Sequence, residues 1–161
     1  MFFPCITAED SVKINWGDDM KNSKDLLSSI LKTTQMGQVG IRAVMKANVS
    51  SDLRVCLEDQ LAEYDKIEQQ AHTLAREKKW TLEELDPAVR KMAELMTRAQ
   101  LSMGNVRSKT AAMMIQGNTR GMIKSLKNLH HYNHSDNQIE ALGNKLLSCE
   151  ESNIKQMQRF V

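Results

Sequence analysis

Gln35-Met36-Gly37-Gln38-Val39-Gly40-Ile41 and Gln116-Gly117-Asn118-Thr119-Arg120-Gly121-Met122 both place a glutamine five residues ahead of a glycine–apolar pair. A lysine follows each, Lys46 and Lys127, so four positions repeat at a constant offset of 81. Further on, Glu63-Tyr64-Asp65-Lys66-Ile67 answers to Glu150-Glu151-Ser152-Asn153-Ile154, with Glu and Ile at an offset of 87. The six extra residues fit a longer loop at His130-His131-Tyr132-Asn133-His134-Ser135. A helical hairpin written twice predicts a four-helix bundle with polar groups at matched mid-helix points.

Working outward, apolar spacing predicts five helices, at about 23–47, 52–79, 87–103, 106–131 and 136–160. Ser23 stands as N-cap of the first, with Leu26, Leu27, Ile30, Thr34, Gly37, Ile41 and Val44 along one side. The second has the seam Leu53, Leu57, Gln60, Tyr64, Ile67, Ala71, Leu74, whose steps of four and three suit packed helices. Asp86-Pro87 opens the third, which carries Val89, Met92, Met96, Ala99 and Met103 and stops at Gly104-Asn105. Short and placed between the halves, it is expected to be the crossover. Ala111, Ala112, Ile115, Thr119, Met122, Leu126 and Leu129 mark the expected inner side of the fourth helix. The fifth follows Ser135-Asp136 with Ile139, Gly143, Leu146, Glu150, Asn153, Met157 and Phe160. The expected class is all-α: two duplicated hairpins over residues 22–161, preceded by an irregular arm at 1–21 that docks on the bundle or a neighbouring subunit.

Composition agrees. Two prolines, seven glycines and 4% aromatic residues favour long helices over strands and turns. Eleven methionines against three phenylalanines imply a soft core. A net charge of +2, from 22 basic and 20 acidic residues, argues against nucleic acid or an anionic membrane as main partner. No run approaches the roughly 20 apolar residues of a membrane span. Met1-Phe2-Phe3-Pro4-Cys5 is apolar without a basic leader, and Cys5, Cys56 and Cys149 are odd in number and far apart. These features predict a cytoplasmic protein with reduced thiols.

The repeated hairpin, the intervening helix and the mid-helix acids resemble the ferritin-like superfamily over roughly residues 22–161. Met114-Ile115-Gln116-Gly117-Asn118-Thr119-Arg120-Gly121 and Glu150-Glu151-Ser152-Asn153-Ile154 are similar to segments of uncharacterised small bacterial ferritin-like proteins. Di-iron members take one Glu from each of two helices and a Glu-x-x-His from each of the others. The resemblance maps the lone Glu positions onto Gln35 and Gln116, and the paired ones onto Glu63 with Lys66 and Glu150 with Asn153. Two of six ligands survive, and an ammonium stands where an imidazole would be. That implies a polar core layer built from Gln35, Glu63, Tyr64, Gln116, Glu150 and Asn153 in place of a metal centre. A one-position shift would turn Tyr64 inward instead of Glu63, or Glu151 instead of Glu150.

Other side chains carry weaker signals. Glu68 and His72 share a helix face, and His130, His131 and His134 cluster beside a helix end. A hydrogen-bonded pair and a C-terminal cap are the expectations there. Cys149 lacks an activating neighbour apart from Lys145. Phosphate loop, nucleophile elbow and His-Glu-x-x-His are all missing. The expected function is structural or interaction-based, without catalysis or cofactor. A homo-oligomer, by preference a dimer, would bury Met92, Met96 and Met103 with Phe2, Phe3 and Trp16 of the arm. The alternatives are a ferritin-like oxidoreductase or storage protein holding iron or manganese on Glu63 and Glu150, and a binder of a small apolar ligand.

Overall fold

The computed structural model describes residues 21–102 and 104–161, so the arm, Lys21 apart, and Met103 lie outside the described residues. Five helices follow in order: α1 (Ser23–Met45), α2 (Ser51–Glu77), α3 (Pro87–Leu101), α4 (Val106–His130) and α5 (Asn137–Gln158). No strand occurs among the described residues, only an isolated bridge between Lys21 and Tyr132. The helix ends have local causes. The Asn22, Asp86, Asn105 and Asp136 side chains each accept a first-turn amide, at Asp25, Ala88, Ser108 and Gln138. Asn22, rather than Ser23, is thus the cap of α1; the Ser23 hydroxyl bonds Tyr132 and Ser135 instead. Gly104 turns the chain between α3 and α4 at φ 88°, a conformation L side chains resist.

Contacts at the helix ends give the directions. Arg107 at the start of α4 pairs with Asp52 at the start of α2, 3.1 Å apart, so these two run parallel. Lys78 just past α2 pairs with Asp136 just before α5, so those run antiparallel. Lys21 before α1 donates its amide to His131 O after α4, at 2.9 Å. The order is therefore up, down, down, up for α1, α2, α4 and α5. α2 and α4 can be parallel only because the link between them travels the length of the bundle. It does so along α1: Glu83 N donates to Ser28 Oγ, Leu85 N to Gln35 Oε1, and Glu94 of α3 reaches Lys46.

Burial repeats between the halves in a register of its own. The six buried residues of α4 (Thr110, Ala111, Met114, Asn118, Ser125, Asn128) each lie 84 positions after a buried residue of α1. Every buried residue of α5 lies 86 positions after a buried residue of α2. The offsets of 81 and 87 align similar letters, whereas 84 and 86 align inward faces. The inner side of α4 differs from the sequence expectation accordingly. Ile115, Thr119 and Met122 are only half-buried and Leu126 is exposed, while Thr110, Asn118, Ser125 and Asn128 point in. Ranking positions by hydrophobicity fails on a helix whose core stripe is more polar than its flanks.

Candidate functional site at the bundle centre

Two glycines set the middle of the bundle. A Cβ on Gly37 would lie 2.5 Å from Cζ of Tyr64, and one on Gly121 would lie 1.9 Å from Oε1 of Glu150. Each first helix of a hairpin therefore leaves a notch into which its second helix inserts one large polar side chain. The pairs correspond in the 84/86 register, Gly37 with Gly121 and Tyr64 with Glu150. Both inserted residues are about fully buried, at 2% and 1% exposure.

Tyr64 Oη donates to Asn118 Oδ1 at 2.8 Å, and Asn153 Nδ2 donates to the same oxygen at 3.1 Å. Asn118 Nδ2 turns to the carbonyl of Met114 at 2.7 Å. One amide oxygen thus gathers α2 and α5 onto α4. Burial, reinforced by the charge of Glu150, raises the Tyr64 phenol far above its usual range, so it stays a neutral donor. Glu150 accepts from Ser125 Oγ at 3.1 Å. Burial lifts its carboxyl to about 8, against the opposing pull of Ser125 and Lys124, so it is mostly protonated at neutral pH. Cys149 beside it is pushed up to about 11, by burial first and then by Glu150, which leaves an unreactive thiol.

Two more buried polar bridges join the hairpins. Gln60 Nε2 donates to Gln156 Oε1 at 2.9 Å, and Asn128 Nδ2 donates to Ser29 Oγ at 2.6 Å. With Tyr64–Asn118, the α2–α5, α1–α4 and α2–α4 pairs each carry a polar tie, and such ties permit one helix register and penalise others.

Of the six site residues expected from sequence, Tyr64 and Asn153 meet at Asn118, Glu150 is buried against Gly121 and Ser125, and Gln35 is buried but placed elsewhere. Its Nε2 donates to Glu68 Oε1 at 3.0 Å while its Oε1 accepts from Leu85 N at 2.8 Å. Gln38 reaches the other oxygen of Glu68 at 2.7 Å. Burial pushes the Glu68 carboxyl up, but the Gln38 and Gln35 amides with His72 and Arg42 outweigh it, so it lies below its ordinary value. His72 sits 3.7 Å from Glu68 and 3.8 Å from Glu84, within ion-pair reach but too far for the hydrogen bond expected between Glu68 and His72.

Glu63 and Gln116 correct the expectation: both are exposed. A helix turns 100° per residue, so with Tyr64 in the notch of Gly37, Glu63 is carried to the rim. There it pairs with Lys66 at 2.6 Å, and that hydrogen bond holds its carboxyl below the usual range. Glu63 lines an open groove of about 510 Å3 between α2 and α5, together with Lys66, Lys145, Cys149 and Asn153. Glu150 instead points from the other side of α5 toward α4. The carboxylates do not converge, and Lys66 pairs with Oε1 of Glu63, so this pair is not arranged to hold iron or manganese between them. Among the described residues, no group of three or more His, Cys, Asp and Glu side chains is placed to hold a metal.

Asn118, Ser125 and Gln38 were invisible as site residues by sequence alone. The signal that would have found Asn118 is its spacing of four from Met114 and three from Gly121 on a helix that needs an acceptor opposite Tyr64. The histidines are separate from this centre: His134 Nδ1 contacts Glu140 at 2.9 Å, and His130 and His131 pack edge to face. No protein-family model, curated protein or solved structure matches the chain.

Proposed function

We propose that this chain is a non-catalytic, ferritin-like bundle with a structural or interaction role, in which a hydrogen-bonded polar layer occupies the place of a di-iron centre. The observation that carries the reading is the closed set Tyr64, Asn118 and Asn153, whose donors are spent on one another and on the Met114 carbonyl. The up-down-down-up order with one long crossover along α1 supports the ferritin-like part, because that connectivity is characteristic of the superfamily. The 84/86 repetition of burial supports descent from one duplicated hairpin. In that register the paired ligand positions fall on Tyr64 with Ile67 and on Glu150 with Asn153, leaving a single carboxyl. A cytoplasmic location belongs to the same reading, as does self-association through outer helix faces, most simply into a dimer. Exposed Ile123 and Leu126 on α4 and the outward side of α3 are surfaces available for it.

Elemental analysis of protein purified without an affinity tag tests the core of this proposal. Iron, manganese and zinc are expected well below one per chain. A stoichiometric metal that disappears in Glu150→Ala would replace it with the storage or oxidoreductase reading.

A further inference from the structure

The groove between α2 and α5 is tied at both ends and unfilled in the middle. At one end Gln60 meets Gln156, and at the other Lys145 Nζ donates to Gln70 Oε1 at 3.1 Å. Gln60 and Gln70 stand about 15 Å apart along α2. Between the ties the facing side chains are short, Ala62 on α2 against Ser148 and Ser152 on α5, and they leave about 510 Å3 open. Small-ligand sites occupy roughly 300–1,000 Å3. Three polar groups along the groove are unspent. Gln60 lines it at 1% exposure, and its Oε1 has no hydrogen-bond partner among the described residues. A buried acceptor without a donor is costly, so this floor favours an N–H or O–H brought by something else. Asp59, next to Gln60, lines the same end and pairs with no cation among the described residues. Lys145 at the far end bonds the neutral Gln70 amide and forms no salt bridge among the described residues, because Glu63 is taken by Lys66.

We infer that this groove binds a short extended peptide with free ends, its ammonium at Asp59, its carboxylate at Lys145 and a backbone N–H donated to Gln60 Oε1. Charge and length select this class together. The groove is negative at one end, positive at the other and carries an acceptor in its floor. A polyamine or a dicarboxylate would satisfy one end and oppose the other. Lys145 lies across from Gln70, about 16 Å beyond Asp59 along α2, and about four extended residues span 13–14 Å, the two side chains closing the remainder. A single amino acid is too short to reach both ends. Midway, the Glu63–Lys66 pair neutralises itself, which suits an uncharged backbone there. Recognition then rests on the ends and the main chain, with the ligand's side chains left unread. This gives the protein a small-ligand activity that neither the polar layer nor the outer apolar faces supply.

Tetraalanine with free ends is the probe, titrated into the full chain and followed by NMR. Saturable shifts are expected at residues 59–67 and 145–156, with the Gln60 side-chain amide among them. Tetraalanine acetylated at one end and amidated at the other should bind about tenfold more weakly, and Asp59→Asn or Lys145→Gln should each cost about threefold, as lost ion pairs in water do. Ser148→Leu with Ser152→Leu fills the groove from exposed positions of α5 and should abolish the shifts with helix content unchanged. Absence of saturable shifts along the groove at millimolar tetraalanine would overturn the inference. So would equal affinity for the blocked peptide. Putrescine or succinate bound there as tightly as tetraalanine would overturn it in favour of a site for one sign of charge.

Discussion

Glycine at position 37 illustrates how a single atom decides the core. Alanine would improve helix propensity by about 1 kcal/mol, but its methyl would meet the rigid ring of Tyr64 at 2.5 Å. Gly37→Ala is therefore expected to destabilise the protein by about 1–3 kcal/mol in denaturant unfolding, as overpacking does; a more stable variant would mean that Tyr64 does not occupy the notch. Glu150 makes stability depend on pH. Below its ordinary value of 4.5 both folded and unfolded chains hold the proton, and the group has no effect. Between there and about 8 the folded chain keeps a proton that the unfolded chain releases, so its contribution to stability falls as pH rises. Glu150→Gln should flatten this loss, which is on the order of a few kcal/mol for a carboxyl so buried. Unfolding midpoints of the two proteins that run parallel from pH 5 to 9 would contradict the assignment.

At the scale of elements, helix count, type and ends were legible because caps and breakers are local: Asp86-Pro87, Gly104-Asn105 and Asp136 each act within one turn. Rotation about the helix axis was not legible for α4, where Asn118, Ser125 and Asn128 face inward and Ile123 and Leu126 face out. Nothing in α4 itself reveals that; the reason lies in Tyr64, Glu150 and Ser29 on other helices. Half of the candidate centre was therefore readable and half was not. Glu63 and Gln116 lost their places to Tyr64 and Asn118, one and two residues away. The crossover shows a similar dependence, since Gln35 holds Leu85 N and Glu68 at once. Gln35→Leu is expected to release the Leu85 amide, seen as accelerated hydrogen exchange at Leu85 with little change in the α4 and α5 amides. Loss of protection throughout the bundle would mean instead that Gln35 belongs to the global core.

For the whole molecule, buried polar ties hold the two hairpins in register, and the proposed reading needs no ion for that. Thermal unfolding should accordingly be indifferent to a chelator and to added ferrous or manganous ions, because a ligand bound only by the folded chain would raise the midpoint. A rise of several degrees with either metal would count against this view. The direct link between the hairpins at the centre is the bond from Tyr64 on α2 to Asn118 on α4. A double-mutant cycle with Tyr64→Phe and Asn118→Ala, read as unfolding free energy, measures that link. The account predicts that the two changes are coupled by about 1 kcal/mol, the worth of a buried hydrogen bond. Strictly additive effects would show that the hairpins do not meet through this layer.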